Sequence, residues 1–265
     1  MEIEFYKYHG TGNDFIMIDN RQGTIDLTYL QINALCDRRF GIGADGLIMI
    51  NKTEGADFHM TYYNADGHEG TFCGNGGRCA VAFYDFLTGA GENCRFTASD
   101  GLHTARTEKS DMPGHHKVEI TLPDVTKVVE MSDGYFIDTG SPHFLLPVTD
   151  IAAIDVVKEG RKLRNDDAFK PAGTNVNFLE INGEEIQVRT YERGVENETL
   201  SCGTGVVAAA VVYNALTNSN KNRVSVKTLG GPLEVTMNQG KQGFTDIRLS
   251  GKAVRVFSGK TDIRR

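Results

Sequence analysis

The sequence predicts an α/β fold of the α+β type, built from two pseudo-symmetric domains in which a curved sheet surrounds one central helix. The first observation behind this prediction is an internal repeat, because residues 69–87 return without a gap as residues 198–216. The second is that residues 206–216 are apolar nearly all round, which is typical of a helix buried inside its own domain. The third is that the rest of each half reads as short strands separated by turns.

The repeat contains seven identities in nineteen positions, and each copy has a cysteine at the same place. The identical pairs are Glu69 and Glu198, Cys73 and Cys202, Gly74 and Gly203, Gly76 and Gly205, Ala80 and Ala209, Tyr84 and Tyr213, and Leu87 and Leu216. The flanking segments keep the same order, since residues 139–144 echo residues 11–15 and residues 172–182 align with residues 41–51. This pattern predicts a duplicated fold that contributes one thiol from each half.

The elements of the first half follow from apolar runs and turn signals. In order, we predict strands at residues 3–8 and 15–18, a helix at about 27–39, strands within 41–50 and at 58–63, the helix after Cys73, and strands at 94–97 and 102–106. Asp26 and Thr28 are candidate N-caps of the first helix. The second half repeats this order, which extends the duplication beyond the cysteine segment.

A loop with Pro113, Gly114 and two histidines is the candidate domain boundary. We therefore expect an N-terminal domain at residues 1–115 and a C-terminal domain at residues 116–251. Residues 252–265 are expected to return to the N-terminal domain.

Composition and charge disfavour several classes of function and partner. The chain has 265 residues, 40% of them hydrophobic and 24% charged, as in ordinary globular proteins of one or two domains. A net charge of -7 without a Lys or Arg cluster disfavours nucleic acid as a partner. No apolar run approaches the length of a membrane span and no signal segment is visible, so we expect a cytoplasmic protein without a membrane partner. Five cysteines at irregular spacing indicate free thiols in a reducing compartment.

Each repeated cysteine directly precedes a Gly-x-Gly turn that leads into a helix. This position places the sulfur beside unpaired backbone N–H groups and the positive end of the helix dipole, which favours a thiolate. The same N–H groups can hold a carboxylate. Two such helix ends on either side of a small anionic molecule would let one sulfur remove a proton from carbon while the other returns one.

Other kinds of site fit less well. No Cys or His pair at metal-ligand spacing stands near either cysteine, so we predict no metal. The glycine segments match neither the dinucleotide fingerprint nor the phosphate-binding loop, and no Gly-x-Ser-x-Gly elbow is present. Nothing points to a lysine that anchors pyridoxal phosphate. A redox pair formed by Cys73 and Cys202 stays open.

Six segments carry a family resemblance: GTGNDF, GIGADG, YNADGHEGTFCGNGGRC, GSPHF, GTNVNF and YERGVENETLSCGTG, in this order over nearly the whole chain. Together they resemble the diaminopimelate epimerase family. The resemblance implies interconversion of LL- and meso-diaminopimelate, an amino-acid substrate, on the path to lysine and peptidoglycan, without cofactor or metal. It also implies two α/β domains, each a mixed or antiparallel strand barrel around a central helix, with the active site between them, and a homodimer.

The resemblance also implies residue roles. Cys73 and Cys202 would be the two bases. The positions that would bind substrate are Asn13, Asn64, Gly74, Asn75, Asn175, Glu192, Arg193, Gly203 and Thr204, the glycines and their followers through backbone N–H groups. His143 and Glu192 would tune the site, and Ser141 stands where many relatives have asparagine. A second reading of His143 is a loop histidine that caps backbone after Pro142.

Two other functions remain open. A proline or hydroxyproline racemase would have the same fold, but the GTGNDF and NADG segments supply extra polar groups suited to a substrate with a second amino-acid end. A thiol redox sensor would instead join Cys73 and Cys202 in a disulfide.

Overall fold

The structure is a computed structural model that describes residues 1–217 and 219–263. The chain divides into two compact units. Unit 1 contains Met1–Ile120 and the segment from Gly251 onward, and unit 2 contains Thr121–Ser250.

Unit 1 is a closed barrel of eight strands around a helix. Its elements are β1 (Glu2–Gly10), β2 (Asn13–Asn20), α1 (Tyr29–Cys36), β3 (Gly46–Asn51), β4 (Phe58–Asn64), α2 (Gly74–Thr88), β5 (Asn93–Ala98), β6 (Gly101–Lys109), β7 (His115–Thr121) and the second part of β16 (Gly243–Asp262). The strands pair in the order β1-β2-β3-β4-β5-β6-β7-β16, and β16 also pairs with β1, which closes the ring. Helix α2 packs against five of these strands and buries Ala80, Val81 and Phe83 completely.

Unit 2 wraps a second curved sheet around α4. Its elements are β8 (Val128–Glu130), β9 (Tyr135–Asp138), β10 (Pro142–Val148), α3 (Val156–Arg164), β11 (Asn175–Asn182), β12 (Glu185–Glu192), β13 (Asn197–Thr199), α4 (Gly203–Thr217), β14 (Arg223–Thr228), β15 (Gly231–Gly240) and the first part of β16. The strand order is β16-β15-β14-β12-β11-β10-β9-β8, with β13 on β12. Helix α4 packs against six strands and is buried from Val206 to Val212.

The strand pairings repeat between the units. From β1 to β7 the successive pairs are antiparallel, parallel, antiparallel, parallel, antiparallel and antiparallel. The series from β9 through β10, β11, β12, β14 and β15 to β16 has the same directions in the same order. The predicted fold class of two similar α/β halves is therefore confirmed.

Two local predictions need correction. The predicted helix at 27–39 is shorter, because a capping box between Thr28 and Gln31 starts it and Asp37 already has extended backbone. Leu30, expected on its apolar face, is 63% exposed. The histidine-containing loop is a turn inside unit 1, since β7 begins at His115 and pairs with both β6 and β16. The two units divide after Ile120, whereas the sequence suggested residue 115. The predicted limits of the two domains stay a prediction. Asn218, Arg264 and Arg265 lie outside the described residues.

Within the described residues, no helix combines the length and the apolar character needed to cross a membrane.

Candidate active site

Cys73 is the N-cap residue of α2. Its backbone is extended, and its sulfur accepts a hydrogen bond from the Gly76 N–H at 3.5 Å. As a thiol it donates to Asn13 Oδ1 at 3.6 Å. The sulfur therefore has one donor that suits a thiolate and one acceptor that suits a thiol.

Asn13 and Asn75 form the polar surroundings of Cys73. Asn13 donates its Nδ2 to Asp45 Oδ2 at 2.8 Å, and this bond turns Oδ1 towards Cys73 and Asn75 Nδ2. Asp14 lies beside this group and pairs with Lys7 at 2.7 Å and Arg38 at 2.6 Å. Although burial opposes it, hydrogen bonds from Arg38 and Lys7 hold the pKa of Asp14 at about 2.

Arg78 is fully buried one helical turn further along α2. Its guanidinium donates to Asn75 Oδ1 at 2.8 Å, Thr11 Oγ1 at 3.3 Å and the Gly74 carbonyl at 3.3 Å. All three acceptors are neutral, and among the residues that the structure describes no carboxylate pairs with Arg78. Burial lowers its pKa to about 10, so it keeps its positive charge at neutral pH.

Cys202 directly precedes α4 and is buried, with 8% of its surface exposed. Its carbonyl accepts the Val206 N–H at 2.9 Å, which begins the helix. Its sulfur lies 3.5 Å from Thr204 Oγ1. The Thr204 carbonyl is held in turn by the Thr139 hydroxyl at 3.0 Å.

His143 lies in β10 and is completely buried, so it is not a loop histidine that caps backbone. Its Nε2 is 2.9 Å from Thr204 Oγ1 and its Nδ1 is 3.0 Å from Asn177 Nδ2. Burial lowers the pKa of His143 to about 3, so the ring is neutral at physiological pH. The structure thus brings His143 and Thr204 together with Cys202.

Asn175 and Arg193 also meet. Asn175 Oδ1 accepts the Arg193 backbone N–H at 2.9 Å, and its Nδ2 donates to the Pro142 carbonyl at 3.0 Å. Arg193 Nη1 donates to the Ala172 carbonyl at 3.1 Å, which orients the planar fork. Glu192 is the last residue of β12, directly before this arginine.

The remaining predicted positions lie at the ends of elements. Asn64 is the last residue of β4, where its N–H donates to the His68 carbonyl at 2.9 Å, and its side chain makes no described contact with Cys73. Gly74 and Gly203 are the first residues of α2 and α4. The Ser141 carbonyl accepts the Thr139 N–H at 3.1 Å in the turn before β10.

The other three cysteines have different surroundings. All five cysteines are free. Burial raises the pKa of Cys36 to about 12 and that of Cys94 to about 12, and it raises the pKa of Cys79 further. These three therefore remain thiols at neutral pH. No group of three or more His, Cys, Asp or Glu side chains in the described part of the chain is arranged to hold a metal ion.

Sequence reasoning missed three residues that the site contains. Arg78 is a charge in an apolar helix, and Asn177 is a polar residue in the apolar strand that carries Asn175. Thr190 pairs with Asn177 across β11 and β12. A charged or amide side chain within an otherwise buried element is the signal that would have pointed to the first two.

The chain is similar over most of its length to a known protein family. Residues 5–123 and 135–256 match the family described as diaminopimelate epimerase. The diaminopimelate epimerase of Flavobacterium psychrophilum is 45% identical over 258 residues, covering 96% of this chain and 98% of the relative. That of Chlorobaculum tepidum is 43% identical over 261 residues, covering 94% of this chain and 98% of the relative.

Solved structures share the fold at low identity. A Bacillus anthracis phenazine biosynthesis protein of the PhzF family has a TM-score of 0.79 at 14% identity and covers 99% of this chain and 100% of its own. A hydroxyproline epimerase from Agrobacterium vitis has a TM-score of 0.71 at 12% identity and covers 98% of this chain and 91% of its own. At such identities the likeness concerns fold alone. The near-complete match to the family and to relatives above 40% identity shows that this chain belongs to the diaminopimelate epimerase family.

Proposed function

We propose that this protein is a cofactor-independent amino-acid epimerase that interconverts LL- and meso-2,6-diaminopimelate in the supply of lysine and peptidoglycan precursors. The observation that carries the proposal is the pair of cysteines at the starts of the two equivalent buried helices, in a chain 45% identical to a protein named diaminopimelate epimerase. Free thiols in all five cysteines support a reducing, cytoplasmic location.

The chemistry uses two sulfurs. One, as thiolate, takes the α-proton, so that the C–H bond breaks, an S–H bond forms and the electron pair stays on carbon. The other, as thiol, delivers its proton to the opposite face. Exchanging the roles of Cys73 and Cys202 runs the reaction in reverse.

Charge on the substrate is stabilised by the helix starts. Backbone N–H groups at Gly74 and Asn75, and at Gly203 and Thr204, suit an α-carboxylate whose charge grows as the carbanion forms. Arg193, with its fork oriented by the Ala172 carbonyl, suits the second carboxylate of the substrate. Glu192 would hold a substrate ammonium group. Further hydrogen bonds to the substrate would come from Asn13, Asn64 and Asn175, and Ser141 would lie at the edge of the substrate site.

The direct test is exchange at the α-carbon. Purified reduced protein is incubated with LL-diaminopimelate in deuterated water, and deuterium at the α-position is followed by NMR. We expect exchange and formation of the meso isomer. Exchange of proline with no exchange of diaminopimelate would instead establish the racemase alternative, which shares this fold with the hydroxyproline epimerase.

Variants test the two-thiol assignment. We expect Cys73→Ala and Cys202→Ala each to abolish epimerisation, while Cys94→Ala, which removes a buried thiol away from both helix starts, serves as a matched control for cysteine loss. Full activity in either of the first two variants would contradict the assignment. A redox sensor, the third candidate, would show a reversible disulfide between Cys73 and Cys202 coupled to a second function, whereas an epimerase simply loses activity on oxidation.

We also propose that the protein is a homodimer. Val256 and Phe257 of β16 are 56% and 48% exposed, and apolar side chains of this kind suit a surface covered by a second copy. Light scattering during size-exclusion chromatography measures the mass directly, and a monomeric mass at micromolar concentration would contradict this proposal.

A further inference from the structure

A chain of buried hydrogen bonds in unit 2 leads from β12 to the Cys202 sulfur. The Thr190 hydroxyl donates to Asn177 Oδ1 at 2.9 Å, and Asn177 Nδ2 is 3.0 Å from His143 Nδ1. His143 Nε2 is 2.9 Å from Thr204 Oγ1, which is 3.5 Å from Cys202 Sγ. Thr190, Asn177 and His143 are each at most 3% exposed, so the hydrogen bonds among them are shielded from water.

A backbone carbonyl determines which atom donates and which accepts in these hydrogen bonds. Asn177 lies 3.3 Å from the Phe144 carbonyl, which can only accept a hydrogen bond. The amide atom that faces it must therefore be the nitrogen. The same nitrogen faces His143 Nδ1, so Nδ1 must be the acceptor.

A neutral imidazole that accepts at Nδ1 carries its proton on Nε2. His143 is neutral at physiological pH because it is completely buried and because the nearby Arg193 charge also disfavours protonation. Its Nε2–H therefore donates to Thr204 Oγ1. The oxygen of Thr204 is thus occupied as an acceptor, which leaves its own hydroxyl proton for Cys202 Sγ.

We propose that Asn177 is a positioning residue that holds His143 in the Nε2–H tautomer, so that the Thr204 hydroxyl donates a hydrogen bond to the Cys202 thiolate. The inference deepens the proposed function and rests on it for its catalytic meaning. Cys202 Sγ itself takes and returns the α-proton. His143 never acts as the base, since Nδ1 is occupied and Nε2 already carries a proton.

Neighbouring contacts keep the chain in place. A Cβ atom at Gly205 would lie 2.5 Å from Asn177 Oδ1 and 3.3 Å from His143 Cε1, so only glycine allows α4 to approach them this closely. Thr139 holds the Thr204 backbone through a separate hydrogen bond at 3.0 Å. The Thr139 contact supplies a control, because removing it leaves the donors and acceptors between Asn177 and Cys202 unchanged.

The test measures the ionisation of Cys202 without substrate. In a Cys73→Ala background, the rate of alkylation of Cys202 by iodoacetamide is followed against pH by mass spectrometry of its peptide. We expect Thr204→Val to raise the titration midpoint by about one pH unit, a loss of about tenfold in thiolate at neutral pH, because a hydrogen bond to a charged group is lost. Thr204→Ser keeps the hydroxyl and should titrate near the parent, as should the control Thr139→Val.

Two further measurements address His143 and Asn177. Nitrogen-15 NMR of the imidazole in the unaltered protein should show the neutral Nε2–H tautomer, and Asn177→Leu should release it to a mixture of tautomers. In the presence of both cysteines, Thr204→Val should lower kcat for diaminopimelate about tenfold and Thr204→Ser should restore it. If these hydrogen bonds had only a structural role, the variants would not shift the Cys202 midpoint and the His143 tautomer, and serine at position 204 would not restore activity.

Opposite results overturn the inference. A charged or Nδ1–H imidazole at neutral pH would do so, and so would a Thr204→Val variant that titrates like its parent. Failure of the proposed function has a different signature, namely no α-proton exchange with diaminopimelate in the unaltered protein. The titration and the NMR measurement need no substrate, so the two failures are distinguishable.

Discussion

Cys73 and Cys202 stand at equivalent points of a repeat, yet the groups near their sulfurs differ. Arg78, a fully buried cation, occupies the α2 position that corresponds to Val207 in α4. Cys202 is instead approached by the neutral hydroxyl of Thr204 at 3.5 Å. Each sulfur can thus be stabilised as an anion, Cys73 by a nearby charge and Cys202 by a directed hydrogen bond, as the proposed two-base reaction requires.

Removing the Arg78 charge should make Cys73 harder to ionise. A cation near a cysteine favours its thiolate, and Arg78 has no carboxylate partner among the described residues that would cancel its charge. We expect Arg78→Met to raise the midpoint of Cys73 alkylation in a Cys202→Ala background by about one pH unit, hence about tenfold less thiolate at neutral pH. Arg78→Lys, which keeps the charge but loses the fork, should show a smaller change. An unchanged midpoint in Arg78→Met would contradict this role.

The buried His143 should make the protein sensitive to acid. Its pKa is lowered from 6.5 to about 3 by burial, so as pH falls the unfolded chain binds a proton that the folded chain does not. Stability is therefore lost between about pH 6.5 and pH 3, at up to about 1.4 kcal/mol per pH unit. Urea unfolding at several pH values should show a shallower decline for His143→Gln than for the unaltered protein. Parallel declines would show that this ring does not remain neutral in the folded state.

At the scale of elements, the second glycine of each Cys-Gly-x-Gly segment sets how closely the central helix meets its sheet. At Gly76 an added Cβ would lie 2.8 Å from Ile48 Cδ1 and 3.1 Å from Met60 Cε, which are ends of flexible side chains. At Gly205 it would lie 2.5 Å from Asn177 Oδ1, in a side chain held by three hydrogen bonds. The same motif therefore packs against movable side-chain ends in unit 1 and against a fixed amide in unit 2.

Alanine at these two glycines should have unequal effects. We expect Gly205→Ala to destabilise the protein by about 1–3 kcal/mol, because overpacking against a fixed amide exceeds the helix propensity that alanine adds. Gly76→Ala should cost less than about 1 kcal/mol, since two methyl groups can rotate away while the helix gains a better former. Urea unfolding of both variants measures the difference. Equal losses would contradict the distinction between the two contacts.

Elements carried by strong apolar patterns were predictable from sequence, and those governed by local hydrogen bonds were not. The runs at 3–8 and 58–63 became β1 and β4, and the apolar segment after Cys202 became α4. Helix α1 ends early because its last turn meets an extended Asp37, which apolar spacing does not report. The start of β7 was not predicted, because His115 and His116 follow a turn and resemble a loop in sequence. The strand partner of these residues, β16, lies far along the chain.

Apart from the residues that the family resemblance named, the candidate site was predictable only where a motif repeats. The duplication pointed to Cys73 and Cys202 without any structure. It did not separate Asn175 from Asn177, because positions two apart lie on the same face of a strand. Only the fold brings Asn177 to His143 and Thr190, contacts that join three different strands.

At the scale of the whole molecule, the two units share one order of strand directions, and a different part of β16 serves each of them. The unit 1 ring is closed by the C-terminal part of β16, which pairs with both β1 and β7. In unit 2 the strand series runs from β16 to β8, and Val125, just before β8, pairs back with Phe244 of β16 through two backbone hydrogen bonds. The last strand of the chain is therefore a structural requirement of the first unit, which also carries Cys73.

Shortening the chain at its C-terminal end should open the unit 1 barrel. Residues 259–262 of β16 pair with Glu2–Phe5 of β1, and Ile3 and Phe5 at that edge are buried. A chain that ends at Ser258 leaves these β1 amides without their partner strand, so we expect them to lose protection in hydrogen exchange and the melting temperature to fall by several degrees. Amides of β11 and β12 in unit 2 should keep their protection, since their pairing partners are all retained. The matched control ends at Ile263, which preserves every described pairing, and it should behave as the full chain does. If β1 stayed as protected in the shorter chain as in this control, closure by β16 would not be what holds the first strand in place.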